Sequence, residues 1–319
     1  LRYVELSKRQ PKQFLTQLTS PIIVLGLPRS GSTLLHRLLA LGDGAQALPL
    51  WRTREPFHVG GADLRRRNTL RLLRVFKGLE PELDAKHYVD IDLPEEEVGF
   101  FDACLWTPSM FRFCPAFDYL AWFLEQAPEP GYAVYARTLR WVQGEWPGKR
   151  LVLKLPNHVG FTGALLDAVP EACVVQTHRD PVTCVSSYAS LASTVQAPIH
   201  RVERSRIGAA ALAMWSLHVS RGMRDRETRP GRVFDVYYEQ LLADPVGVVR
   251  SVHDNYGLDT TPEHERRMRE MLAQRPQHKF GRHQYHPTQF GLDEVGIRRE
   301  FGPYVDRFWP TTSESNSRS

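Results

Sequence analysis

The sequence predicts an α/β domain, a parallel sheet carrying helices on both faces, and three observations lead there. Four short β-branched runs stand out: Ile22–Leu25, Leu151–Leu155, Cys173–Thr177 and Val233–Tyr237. Each is continuous rather than alternating in hydrophobicity, as in strands buried on both sides. Helical patterns separate them, over Thr33–Leu41, Tyr132–Gly144, Phe161–Ala168, Thr183–Ala192 and Ile207–Arg226, and this alternation is the signature of a parallel sheet. The 319 residues are 42% hydrophobic and 24% charged, proportions that exclude disorder, a fibrous repeat and a disulfide-stapled miniprotein. Residues 1–319 are read as one domain.

The first strand runs straight into the most informative segment of the chain, Gly26-Leu27-Pro28-Arg29-Ser30-Gly31-Ser32-Thr33, which opens an amphipathic helix. Glycines let backbone N–H groups close around an anion, and the helix N-terminus adds its positive dipole end. Ser30, Ser32 and Thr33 supply hydroxyls, and Arg29 supplies a permanent forked cation. The segment therefore reads as a phosphate cradle, and the fold as P-loop-like. Against G-x-x-x-x-G-K-[ST], Gly26, Gly31 and Thr33 match in spacing, but Ser32 stands where a nucleotide hydrolase has its lysine. No strand ends in a magnesium-binding aspartate, and Asp235 is internal to its run. Nucleotide hydrolysis is disfavoured on both counts.

Residues from about 51 to 148 read as a helical insertion after the first strand-helix unit. Within it, Arg65, Arg66, Arg67, Arg71, Arg74 and Lys77 interleave with Leu64, Leu70, Leu73 and Phe76. That pattern is an amphipathic helix whose basic face is either simply solvated or turned to a partner or an acidic lipid surface. Asp90, Asp92, Glu95, Glu96, Glu97 and Asp102 make the next stretch acidic. Pro94 followed by three glutamates predicts a helix start; the alternative is a rim that sorts acceptor substrates. Trp51, Phe57, Phe100, Phe101, Trp106 and Phe111 are expected to be core, with an apolar ligand pocket as the second option.

The third strand ends in Thr177-His178-Arg179-Asp180-Pro181, with Ser187 about two turns into the helix that follows. Alone, such a turn is as easily a structural Arg–Asp corner as an anion site. Taken together, Pro28-Arg29-Ser30-Gly31-Ser32-Thr33 and the Arg179/Ser187 pair resemble the sulfotransferases that use 3′-phosphoadenosine 5′-phosphosulfate (PAPS). Their first loop reads P-[KR]-S-G-[ST]-T and wraps the 5′-phosphosulfate, while an Arg and a Ser at this separation hold the 3′-phosphate. Tyr238-Glu239-Gln240-Leu241-Leu242-Ala243-Asp244-Pro245 resembles the family's Y-E-D-L-x-x-D-P stretch, which would set Tyr238 near the adenine; by itself it reads as a capping turn. A basic segment at about 274–292, with Lys279, Gly281 and Arg282, resembles the loop that covers the nucleotide, and surface charge is its plainer reading. Tyr285 and Phe290-Gly291-Leu292 resemble the tail of bacterial, including mycobacterial-type, members.

The resemblance implies transfer of a sulfuryl group from PAPS to an acceptor hydroxyl, releasing adenosine 3′,5′-bisphosphate. Arg29 and Lys154 are then the expected catalytic cations, Lys154 because Leu153-Lys154-Leu155-Pro156 resembles the family's K-x-P; a lysine snorkelling from a strand end is the alternative. The base is open among Glu55, His158, His58 and His87, with Glu55 preferred. The acceptor is expected to be a small molecule, lipid or glycolipid. A P-loop kinase and a nucleotide-sensing scaffold are the competing functions.

Composition bounds the rest. Lys and Arg total 41 against 36 Asp and Glu, a net +5, which suits an anionic ligand but is too dispersed for nucleic acid. Cys104, Cys114, Cys173 and Cys184 lack metal spacing and read as free thiols in a reducing, cytoplasmic setting. The 12 histidines form no metal-ligand pattern. No apolar run approaches the ~20 residues of a membrane helix. The first residue is Leu rather than Met, so a native leading segment is an open expectation. A homodimer is likewise left open.

Overall fold

A computed structural model describes residues 2–79, 88–102, 104–198, 200–274 and 286–309. Five parallel strands form one sheet in the order β2-β3-β1-β4-β5: β1 Ile22–Gly26, β2 Ala45–Ala47, β3 Arg150–Lys154, β4 Cys173–His178 and β5 Val233–Tyr237. The four strands expected from sequence are all present. The edge strand β2, Ala-Gln-Ala, carries no β-branched residue and left no pattern to find. Along β1, Ile23 and Leu25 join the larger core cluster while Ile22 and Val24 join the smaller one on the opposite face. That two-sided burial is why the strand is apolar throughout.

The helices expected from periodicity appear as Ser32–Leu39, Glu129–Glu145, Thr162–Ala168, Pro181–Gln196 and Arg204–Glu227. The insertion holds the helix Arg65–Leu79 and several short ones. Its aromatics are mostly core: Phe57, Phe100, Phe101 and Phe111 are buried, Phe101 stacks on Tyr135 with centroids 5.0 Å apart, and Trp106 packs edge-on against Phe161. One expectation fails here. Pro94 does not start a helix, because the next one begins only at Gly99. Instead the backbone of the acidic run is tied to the segment after β2, with Leu50 N–H donating to Leu93 O and Glu95 N–H to Leu48 O. This tether carries Glu95, Glu96 and Glu97 inward.

All strands being parallel, their C-terminal ends lie along one edge of the sheet, where α/β folds place their ligands. Pairing of Val24 with Lys154 and of Gly26 with Thr177 sets the loop after β1, the end of β3 and the end of β4 side by side. Helices Glu294–Glu300 and Gly302–Phe308 close the far side. There Phe308 stacks on His178 with centroids 4.1 Å apart, and Asp235 takes His178 and Arg226, each at 2.7 Å. Asp235 is thus a structural counter-ion inside β5.

Four buried histidines, His36, His178, His218 and His253, are held below their ordinary pKa and give the fold a pH dependence. Burial, reinforced by the Lys154 charge, lowers His36 to about 4; burial, with Arg221 nearby, lowers His218 to about 3; burial lowers His178 against the pull of Asp235. Unfolding returns each to about 6.5, so the unfolded chain binds more protons and stability falls as pH drops below 6.5. From pH 6.5 to 5, His36 and His218 together should cost about 3 kcal/mol. Thermal melts across that range should show the loss, and His218→Phe should flatten the slope by about one proton.

Candidate functional site

A cavity of about 330 Å³ opens at the C-terminal edge of the sheet, lined by Arg29, Gly31, Ser32, Thr33, Arg179 and Tyr238 and also by Glu96, Arg112 and Asn157. The loop after β1 owes its shape to three positive-φ residues: Gly26 at 135°, Arg29 at 67° and Gly31 at 89°. A Cβ on Gly26 would lie 2.4 Å from Thr177 O, and one on Gly31 would lie 3.0 Å from the Tyr238 ring. Only glycine lets the loop approach β4 and Tyr238 so closely. Arg29 holds its strained conformation at the cavity wall, as residues at ligand sites often do.

Most of the residues singled out from sequence converge here. Gly31 caps the helix Ser32–Leu39, so Ser32 and Thr33 present their hydroxyls and N–H groups at its positive end. Asp180 accepts the Thr183 N–H and hydroxyl and so caps the helix beginning at Pro181. Arg179 is thereby left to turn into the cavity, where its guanidinium donates to Arg29 O at 2.7 Å and lies 3.9 Å over the Tyr238 ring. The donor set, two guanidiniums with a helix N-terminus and an aromatic face, fits a phosphorylated nucleotide.

Two residues of that group do not face the cavity. Ser30 is buried and donates to Leu27 O at 2.5 Å while meeting the Thr177 hydroxyl at 2.6 Å; its side chain braces the loop. Ser187 is buried in its helix and is not part of the wall, although Tyr188 and Leu191 beside it are. Lys279, Gly281 and Arg282 lie outside the described residues, as does His87.

Lys154 ends β3 with only 1% of its side chain exposed. It does not snorkel. Its Nζ donates to Glu96 at 2.8 Å and lies 3.8 Å from Glu95, while its backbone N–H donates to Glu97 at 2.9 Å. The three glutamates of the acidic run therefore converge on one lysine. A buried cation is tolerable only with such partners. Glu96 also lies 3.5 Å from Arg112.

The preferred base candidates sit elsewhere. His158 is 0% exposed; its Nδ1 meets the Tyr132 hydroxyl at 2.7 Å and its Nε2 meets Glu97 at 3.3 Å. The network assigns the tautomer whose Nε2–H donates to Glu97 and whose Nδ1 accepts from Tyr132. With Tyr135 O–H also donating to Glu97, His158 helps hold the carboxylate that holds Lys154. Glu55 pairs with Arg2 at 2.5 Å and lines a second cavity. His58 meets Gly61 O and borders neither cavity.

The second cavity, about 510 Å³, has Leu50, Leu72, Leu73, Phe76, Val89, Phe113 and Val195 in its walls. Glu96, Val98, Arg112 and Leu191 line both cavities. The acidic run reads from sequence chiefly as a helix start, with an acceptor-sorting rim as its alternative, so Glu96 is not singled out there, and Arg112 has no motif to mark it. An acid shared by two pockets and paired with a lysine buried behind it is visible only in three dimensions.

Comparison with known proteins bears on the family and the fold. A model described as the sulfotransferase family matches residues 21–263. The omega-hydroxy-beta-dihydromenaquinone-9 sulfotransferase Stf3 of Mycobacterium bovis and that of Mycobacterium tuberculosis are each 25% identical over 307 residues, covering 90% of this chain and 74% of theirs. Among solved structures, sulfotransferase STF9 from Mycobacterium avium superposes with a TM-score of 0.85 at 27% identity, covering 97% of this chain and 81% of that one. Sulfotransferase STF1 from Mycobacterium tuberculosis gives 0.81 at 27%, covering 95% and 82%. On the strength of the family match over most of its length, and of the fold it shares with these enzymes, the chain belongs to the sulfotransferase family.

Proposed function

We propose that the protein transfers a sulfuryl group from PAPS to the hydroxyl of an apolar, lipid-like acceptor, releasing adenosine 3′,5′-bisphosphate. The observation that carries this reading is the meeting of a cationic cavity with an apolar one at Glu96 and Arg112. A donor anion belongs in the first and a hydrophobic acceptor in the second, with their reacting ends at the junction. The acceptor named for Stf3 is a hydroxylated menaquinone, which supports a lipid over a polar sugar. The free cysteines support a reducing, cytoplasmic setting.

The protein's part in the chemistry follows from charge. The acceptor oxygen–sulfur bond forms in line as the sulfur–oxygen bond to phosphate breaks, so negative charge grows on the leaving phosphate. Lys154 and Arg29 would neutralise that charge, and Glu96 would take the acceptor hydroxyl proton. Arg179 and the N-terminus of Ser32–Leu39 would hold the nucleotide's phosphates, and the Tyr238 ring its base. Glu96 already holds Lys154 just behind the junction wall, which keeps both groups placed before the acceptor arrives.

Calorimetric titration of adenosine 3′,5′-bisphosphate tests the donor site. Tight binding independent of Mg²⁺ is expected, and Arg179→Ala should weaken it by about ten- to a hundredfold, the worth of a charged hydrogen bond. Binding of Mg²⁺·ATP in place of the bisphosphate would overturn the reading.

A further inference from the structure

The helix Arg65–Leu79 has two faces with different tasks. Thr69, Leu72, Leu73 and Phe76 point inward and line the second cavity. Arg67, Arg71 and Arg74, spaced by four and three residues, form one exposed stripe on the outside. None of the three takes an ion pair with any described residue. Arg66, by contrast, spends its charge on Asp92 at 2.5 Å.

Large apolar side chains are exposed on this helix and on the neighbouring segment. Val75 is 58% exposed and Leu79 54%. Phe113 lines the second cavity yet is 38% exposed, and its ring lies 6.1 Å from that of Phe76; Met110, one turn earlier, is exposed as well. The cavity therefore reaches the surface at an apolar edge, and the helix that walls it carries on its outer face three guanidiniums that no described residue pairs.

We propose that this face docks the enzyme on an anionic bilayer surface, so that an acceptor passes from the lipid into the second cavity across Phe76 and Phe113. The proposal rests on reading that cavity as the acceptor site. Charge complementarity selects the occupant: guanidiniums pair with headgroup phosphates, while Val75, Leu79, Met110 and Phe113 enter the acyl boundary. A merely solvated face has no use for the apolar half. An acidic protein surface would use the charges but would leave the same half in contact with polar groups.

The test is cosedimentation of the full chain with vesicles of phosphatidylcholine alone and with about 30 mol% phosphatidylglycerol, an anionic content that sets a negative surface potential. Each basic residue near such a surface is worth about fivefold in partitioning. The variant Arg67→Gln/Arg71→Gln/Arg74→Gln should thus bind anionic vesicles about a hundredfold more weakly, and the matching Arg→Lys triple should retain binding. Near 1 M salt, where the Debye length is about 3 Å, wild-type binding should be lost. Equal binding by the wild type and the Gln triple, or no binding to anionic vesicles, would overturn the proposal.

Turnover of a short, water-soluble hydroxy acceptor should be the same in the wild type and the Gln triple. Transfer to such an acceptor by a protein that ignores anionic vesicles would sink the docking alone. Charge-dependent vesicle binding without any transfer would sink the proposed function and leave the docking standing.

Discussion

Glu96→Gln should lower kcat about a thousandfold while leaving bisphosphate affinity within about twofold, since general bases contribute roughly 10²- to 10⁴-fold. The glutamine keeps the volume, and its amide oxygen still accepts from Lys154 Nζ, the bond that spans 2.8 Å in the wild type. Proton acceptance is removed together with the charge opposite Lys154, while Glu95 stays 3.8 Å from the lysine as its remaining counter-ion. The loss should therefore appear in kcat and kcat/KM together, as for an interaction made in the transition state. Glu55→Gln is the control. Its carboxylate is engaged by Arg2 and borders the apolar cavity away from Lys154, so kcat should stay within about threefold of wild type. A large loss for Glu55→Gln with little for Glu96→Gln would reverse the two roles.

What the sequence made legible here divides by range. Gly26, Arg29, Gly31, Ser32 and Thr33 act within one loop, so their order along the chain already encodes their geometry. Arg179 and Tyr238 each follow a strand directly, and a parallel sheet brings strand ends together without further information. The proposed base is less legible. Glu55 and His158 were favoured because they lie near motifs in sequence, yet one faces Arg2 and the other is locked between Tyr132 and Glu97. Glu96 reaches Lys154 from 58 residues away through a backbone tether between Leu48 and Glu95, and nothing local announces it. The edge strand β2 was missed for the opposite reason: three residues without hydrophobic pattern carry too little signal, and neighbouring β3 alone makes them a strand.

Lys154→Met should abolish measurable turnover and also destabilise the fold by about 3 kcal/mol, because removing one member of a buried ion pair leaves its partner's charge uncompensated. Glu96 and Glu95 face Lys154 with 14% and 9% of their side chains exposed, so neither can recover much hydration. The two effects have different causes and can be separated. In the double variant Lys154→Met/Glu96→Gln the strongest unpaired carboxylate is gone, and most of the stability should return. Activity should not, since the leaving phosphate still lacks its cation and the acceptor its base. Thermal melts and turnover of the wild type, both single variants and the double variant complete the cycle. If the double variant melts as low as Lys154→Met, Glu96 is not the group that Lys154 neutralises. If Lys154→Met melts like wild type but is inactive, the lysine serves catalysis alone, and the convergence of three glutamates on it stabilises nothing. A dead single variant beside a stable, equally dead double variant is the result that assigns Lys154 to both tasks.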